Sequence, residues 1–148
     1  MFLRALFVGL PTLVLCVALQ SLFVNLALRG YARVKGRLAR QRRWRSLWVL
    51  TTVMLLMLVG SFLQMAVWAL LFLSLGEFED YATAAYHSAV NFTTLGYGDV
   101  VMSERWRLLG ALEAASGILM FGVSTAMMTA AVIELLKLDA NERSGTPK

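Results

Sequence analysis

The chain alternates between long apolar stretches and short polar segments. Residues 5–28 and 46–76 carry no charged side chain, and residues 108–136 carry two, Glu113 and Glu134. Each stretch exceeds the roughly 20 residues that a helix needs to cross the hydrocarbon core of a bilayer. The pattern therefore predicts an all-α membrane protein with three transmembrane helices, an extra N-terminal helix (1–28), an outer helix (46–76) and an inner helix (107–136).

A short segment between the second and third stretches has a different character. Residues 81–93 contain no Gly or Pro and would form a helix about 20 Å long, which reaches mid-membrane without crossing it. Residues 94–98 then read Thr-Leu-Gly-Tyr-Gly, followed by Asp99. Irregular backbone is tolerated at membrane depth only where it lines a cavity or is buried in protein. We predict a re-entrant pore helix (81–93) followed by a filter strand (94–98).

The two glycines of this strand allow backbone conformations that point its carbonyl groups in one direction. Gly96 and Gly98 lack a Cβ and can adopt positive φ, so that successive carbonyl groups point toward one axis. Rings of such carbonyls replace the hydration shell of K⁺ when four strands surround a common axis. Because one chain supplies one strand, the motif predicts a tetrameric pore.

Composition and charge place this segment relative to the membrane. Hydrophobic residues make up 59% of the 148 residues and charged residues 16%, a balance typical of membrane proteins. Residues 29–45 contain eight basic side chains and no acid, so this segment should be cytoplasmic by the positive-inside rule. The N-terminus then lies outside, the filter faces the exterior, and residues 137–148 form a short cytoplasmic tail of a multi-pass protein in the cell (plasma) membrane.

Cleavage of the first apolar stretch as a signal peptide is an alternative. The small residues at positions 16–18 resemble a cleavage pattern. Cleavage would, however, leave the basic segment outside and turn the filter toward the cytoplasm. A retained first helix keeps the charge pattern and the filter motif consistent with each other.

The basic segment has a more specific interpretation than topology alone. Residues at positions 29, 33, 37, 40 and 43 are arginines that recur every three or four positions. The basic side chains of the segment would attract anionic lipid headgroups, and the candidates are Arg33, Lys35, Arg37, Arg40 and Arg43. A mere topology signal is the alternative. A voltage sensor is disfavoured, because sensors need apolar residues between the arginines and acidic partners in neighbouring helices, and residues 5–28 contain no acid.

Polar side chains around the strand are candidates for filter support. Tyr86, His87 and Tyr97 carry polar tips that can hydrogen-bond to one another behind the filter. Asp99 lies just beyond the strand, where a ring of acids would concentrate cations at the outer mouth. We predict that the first three side chains hold the filter at a fixed diameter, with plain packing as the alternative for Tyr86 and His87.

Two residues of the third stretch are also candidates. Glu113 lies within an apolar helix, where an acid needs a partner or a water-filled site; we predict a bond to His87 or to a pore-helix hydroxyl such as that of Thr93. Gly117 lies near the middle of the same helix and is the candidate hinge for opening the inner mouth.

Residues 47–136 resemble the pore module of the potassium channel superfamily, in its small bacterial form with one pore loop per subunit. Residues 94–99 match the Thr-Val-Gly-Tyr-Gly-Asp filter of that family at five of six positions. The resemblance implies a homotetramer, in which each subunit joins three identical partners. It also implies which groups bind K⁺: the carbonyls of Thr94, Leu95, Gly96 and Tyr97, with the Thr94 hydroxyl.

The chain departs from that family pattern at several places. Leu95 replaces the usual Val or Ile. Val90 stands where some relatives have an acid that pairs with the filter aspartate, and the Tyr86-His87 pair stands where relatives often have two tryptophans. The helix over residues 5–28 has no counterpart in the minimal two-span plan.

Other classes of function find little support. The chain has one cysteine, Cys16, and one histidine, so it offers no metal cluster, and it has neither a nucleophile–base pair nor a phosphate loop. We therefore expect no enzyme activity, no cofactor beyond K⁺ as the permeant ion, and no nucleic-acid partner. The alternatives to a K⁺-selective channel are a non-conducting accessory or assembly subunit that retains the scaffold, and a weakly selective cation channel.

Overall fold

The computed structural model describes residues 2–35 and 42–143, which form helices and connecting loops with no strand in those ranges. The helices are α1 (Phe2–Lys35), α2 (Arg42–Ser74), α3 (Tyr81–Phe92) and α4 (Arg107–Arg143). Three of them are long and apolar enough to cross a membrane, over Phe2–Gly30, Leu47–Ser74 and Arg107–Lys137. The predicted all-α fold with three long apolar helices is confirmed.

The short helix α3 packs between α2 and α4, and α1 packs on the other two long helices. The side chains at the centre of this arrangement come from all four helices and include Cys16, Trp68, Phe92 and Leu109, each with no exposed surface. Cys16 is thus a packing residue of the core. A tightly filled core of this kind fixes the position of α3 relative to the long helices.

The N-terminal helix is joined to the others by polar as well as apolar contacts. Gln20 of α1 is buried, and its Oε1 accepts a hydrogen bond of 2.8 Å from Nε2 of Gln64 in α2. Its Nε2 lies 3.4 Å from Oγ of Ser124 in α4. Amide and hydroxyl groups within apolar helices are stabilised by such interhelical bonds. The α1 helix is therefore an integrated part of the helical unit.

The connection from α2 to α3 has well-defined ends. Gly76 adopts φ +73°, and the amides of Gly76 and Glu77 bond to the carbonyls of Leu73 and Phe72, which is the Schellman pattern that terminates helices. The α2 helix accordingly ends at Ser74. Asp80 then caps α3 by accepting from the Thr83 amide at 2.9 Å.

The predicted lipid-facing segment is only partly described. Arg37 and Arg40 lie outside the described residues. Arg33 and Lys35 fall on α1 and Arg43 on α2, where the structure describes their helical backbone. The role of this segment stays a prediction.

Candidate pore site

The strand predicted as the filter begins at the end of α3, where the helix closes in a second Schellman motif. The amide of Thr94 bonds to the Asn91 carbonyl at 2.8 Å, and the amide of Leu95 bonds to the Val90 carbonyl at 2.9 Å. Thr94 itself has φ +58°, a conformation usually taken by Gly at this position. The strand is thereby anchored to the last turn of the short helix.

The backbone of the strand alternates in conformation. Thr94, Gly96 and Gly98 have φ of +58°, +62° and +74°, whereas Leu95 and Tyr97 do not have positive φ. Positive φ was expected at both glycines and is observed there, but not expected at Thr94. For a residue with a Cβ this conformation costs about 1–2 kcal/mol. Such a cost is tolerated where the surrounding structure over-determines the backbone.

The strand lies on the surface of the single chain. Residues 93–99 are all exposed, and the Tyr97 side chain retains 67% of its accessible surface. The Thr93 hydroxyl bonds back to the Ala89 carbonyl at 2.7 Å. Backbone oxygens of the strand are thus available to a ligand or to further copies of the chain.

At the end of the strand, Tyr86 and Asp99 form a hydrogen-bonded pair. The Tyr86 hydroxyl donates to Oδ2 of Asp99 at 2.6 Å. This bond lowers the pKa of the Asp99 carboxyl below its ordinary value and raises the pKa of the Tyr86 hydroxyl. Within the chain, Tyr86 bonds to Asp99 and His87 to Val100 and Asn91, so the predicted bonds among Tyr86, His87 and Tyr97 are not formed there. Such bonds between subunits stay a prediction.

His87 holds the backbone that follows the strand. Its Nδ1 donates to the Val100 carbonyl at 2.9 Å, because a carbonyl can only accept. Its Nε2 is then the acceptor for Nδ2 of Asn91 at 2.8 Å. The ring packs edge-on to Phe72, with centroids 5.6 Å apart. Burial lowers the pKa of His87, so the neutral form is favoured.

Glu113 of α4 is fully buried and bonds to the hydroxyl of Ser88 in α3. The predicted bond to a pore-helix hydroxyl is confirmed, with Ser88 in place of the suggested Thr93, and the alternative bond to His87 is not formed. Ser88 lies on the face of α3 that meets α4, and helix rotation of this kind is not encoded in spacing along the sequence. Sequence reasoning missed Ser88; the signal available was that an acid in an apolar helix requires a polar partner on a neighbouring element.

Gly117, the predicted hinge, lies where α4 crosses the end of α3. A Cβ at this position would overlap the carbonyl oxygen of Phe92. Gly122, by contrast, faces open space with nothing within 4 Å of a built Cβ. Close approach of the two helices therefore accounts for the glycine at position 117, and bending there stays a prediction.

Two hydrogen bonds join the loops on the same side of the molecule as Asp99. The Glu77 carboxylate accepts from the amide and the hydroxyl of Ser103, both at 2.7 Å. This bidentate contact ties the loop after α2 to the loop before α4. Nothing in the sequence spacing pairs Glu77 with Ser103, so this contact is not predictable from the sequence.

Comparison with known proteins gives one match. Residues 49–134 match the model of a family described as ion channel, a segment that includes α3, the strand and most of α2 and α4. No curated protein matches the chain. No solved structure matches it either. The match covers more than half of the 148 residues, and the three long apolar helices make the chain a multi-pass membrane protein. The chain belongs to the ion channel family.

Proposed function

We propose that the chain is the subunit of a K⁺-selective channel that conducts passively as a homotetramer. The observation that carries this proposal is the alternation of positive φ at Thr94, Gly96 and Gly98, directly after a short helix between two long apolar ones. Such a backbone can turn consecutive carbonyls toward one side. Family membership points to transport rather than catalysis.

In the proposed pore, four strands surround the ion. The carbonyls of Thr94, Leu95, Gly96 and Tyr97, with the Thr94 hydroxyl, replace the water around K⁺. The exposure of residues 93–99 in the single chain supports this arrangement, since other subunits are needed to enclose the strand. The C-terminal end of α3 contributes the negative end of its dipole, which favours a cation.

The proposed pore is re-entrant from the outside of the cell membrane. The basic residues 29–45 remain cytoplasmic by the positive-inside rule, so the N-terminus and Asp99 are external and the C-terminal tail is internal. This segment would contact anionic lipid. The resemblance in the filter supports a bacterial-type channel.

Purified protein reconstituted in liposomes tests the proposal. We expect K⁺ flux that Ba²⁺ blocks, with Na⁺ flux at least about tenfold smaller. Gly96→Ala should abolish the K⁺ preference, because Gly96 has φ +62° and a Cβ there is strained. The matched control is Gly122→Ala, since Gly122 faces open space and should retain selective flux.

The other outcomes point to the alternative functions. Equal K⁺ and Na⁺ flux would identify a weakly selective cation channel with a loosened filter. If the protein is a tetramer but neither the wild type nor Gly96→Ala shows any ion flux, the accessory-subunit interpretation is favoured. A stable monomer or dimer would overturn the proposed pore itself.

A further inference from the structure

We propose that Glu113 is uncharged in the folded protein and that its own proton forms the hydrogen bond to Ser88. This bond would make Glu113 a positioning residue that holds the filter-bearing helix α3 against α4. The positioning role rests on the proposed channel function, whereas the protonation state does not.

The surroundings of Glu113 disfavour a charge. Its side chain has no exposed surface, and among the described side chains no lysine or arginine pairs with it. The groups that face it are Cys16 from α1 and Ser88 and Asn91 from α3. The titratable group His87 lies behind Asn91, which bonds to its Nε2. A buried carboxylate without a cationic partner is strongly destabilising, so the neutral acid is the favoured form.

Counting hydrogens at Ser88 leads to the same conclusion independently. The Ser88 hydroxyl oxygen lies 2.8 Å from the Met65 carbonyl oxygen of α2 and also contacts Oε1 of Glu113. A hydroxyl has one hydrogen to donate, and a carbonyl or a carboxylate can only accept. If Ser88 donates to Met65, the contact with Glu113 requires a hydrogen from Glu113. A protonated acid supplies it and satisfies both contacts.

The second carboxyl oxygen fits this assignment. Oε2 of Glu113 is buried and has no hydrogen-bond partner among the described residues. Burying an unpaired oxygen of a neutral acid costs less free energy than burying an unpaired oxygen that shares a full negative charge. The proton therefore lies on Oε1, where the partner is.

The resulting chain of bonds runs from α4 through α3 to α2. Glu113 donates to Ser88, and Ser88 donates to the Met65 carbonyl. Ser88 belongs to the same helix whose C-terminal motif sets the strand at Thr94. Asn91, which faces Glu113, also bonds to His87 and through it to Val100 beyond the strand. The position of α3, and with it both ends of the strand, depends on this contact.

Infrared spectroscopy of the purified full-length protein tests the protonation state directly. Glu113→Gln should remove the carbonyl stretch of a protonated carboxylic acid that the wild type shows at neutral pH. The control Glu134→Gln should keep that band. If the wild type and Glu113→Gln have the same absorption in the carboxylic-acid carbonyl region, the proposal is wrong. This readout does not require conduction, so it is independent of the channel assignment.

Conservative rescue tests the positioning role. Glu113→Gln retains a donor toward Ser88 and should keep wild-type K⁺ preference and thermal stability. Glu113→Ala and Ser88→Ala should each lower the K⁺ over Na⁺ preference, roughly tenfold for one lost buried hydrogen bond. If Glu113→Gln is as impaired as Glu113→Ala, a charge is required and the proposal is wrong. If the wild type conducts no K⁺, the channel assignment fails, while thermal stability of the same variants still tests the bond.

Discussion

At the scale of single residues, the region after α3 is organised by polar side chains with specific hydrogen-bond partners. Tyr86 bonds to Asp99, His87 to the Val100 carbonyl, and Glu77 to Ser103. Short, well-aligned bonds to carboxylates are the stronger kind of hydrogen bond. These hydrogen bonds hold the backbone after the strand without using the carbonyls that are the K⁺ ligands of the proposed pore.

The pair of Tyr86 and Asp99 predicts a specific dependence on external pH. The hydrogen bond from Tyr86 lowers the pKa of Asp99 from its ordinary value of 3.8. A depressed carboxyl pKa means that the bond is fully present above that ordinary value and is lost as the pH falls through the lower, folded-state pKa. Tyr86→Phe removes the bond, so Asp99 should gain its proton at higher pH than in the wild type.

Liposome flux measured against external pH checks this expectation. The acid inhibition of K⁺ flux in Tyr86→Phe should begin at higher pH than in the wild type, because neutral Asp99 attracts fewer cations. Tyr81→Phe, which changes an exposed tyrosine at the start of the same helix, is the matched control and should follow the wild-type profile. Superimposable profiles for all three proteins would mean that Asp99 does not control the outer mouth.

At the scale of helices, α3 is the element on which the site depends, and both of its ends are fixed. Asp80 caps its N-terminus through Thr83, and the Schellman motif closes its C-terminus at Thr94. Its last turn rests directly on α4 at Gly117. The C-terminal end of α3 is therefore held by a backbone contact with α4, in addition to the side-chain bond between Glu113 and Ser88.

The contact between α3 and α4 predicts that Gly117→Ala is strongly destabilising. The new Cβ would meet the Phe92 carbonyl oxygen, and overpacking against backbone costs about 1–3 kcal/mol or more. Gly122→Ala places its Cβ in open space and should be neutral or stabilising by up to about 1 kcal/mol, from helix propensity. Thermal unfolding of the purified protein in detergent compares the two variants.

The same pair separates the two explanations of Gly117. If this glycine serves only as a hinge, Gly117→Ala should change channel opening while the melting temperature matches that of Gly122→Ala. A melting temperature clearly below that of the control would identify close helix packing as the reason for the glycine.

The sequence was sufficient to predict features that depend on local pattern. The three long helices follow from runs of apolar residues, and positive φ at Gly96 and Gly98 follows from the alternation of glycines. Features that depend on helix rotation were not predictable in this way. Glu113 meets Ser88 rather than His87 because of the face that α3 turns to α4, and positive φ at Thr94 arises from a helix-closing motif that normally uses Gly.

At the scale of the whole molecule, the N-terminal helix α1 packs against the other two long helices, and the three form one unit. The Leu109 and Leu112 side chains lie where a Cβ on Gly9 would be, so the absence of a side chain there lets α1 approach α4. Gln20 adds a buried bond to α2 and a partly buried bond to α4. Because these helices cross the same membrane together, the direction of any one of them fixes the direction of the others.

The charge distribution predicts the direction of the whole unit in the membrane. The eight basic residues between positions 29 and 45 lie between α1 and α2 or at their adjoining ends. Positively charged segments next to transmembrane helices are retained in the cytoplasm. We therefore expect the loops that carry Glu79 and Asp99 to be external, where the proposed pore requires them.

Labelling of single cysteines in intact cells tests this orientation. Cys16 is buried and is replaced by Ala to give a background without cysteine. In that background we expect a membrane-impermeant maleimide to label Glu79→Cys in intact cells. Thr146→Cys, in the C-terminal tail, should be labelled only after the membrane is permeabilised. The reverse pattern would place the basic segment outside and the strand inside. It would contradict the proposed direction of ion entry while leaving the fold and family membership intact, because neither depends on which face of the membrane the loops occupy.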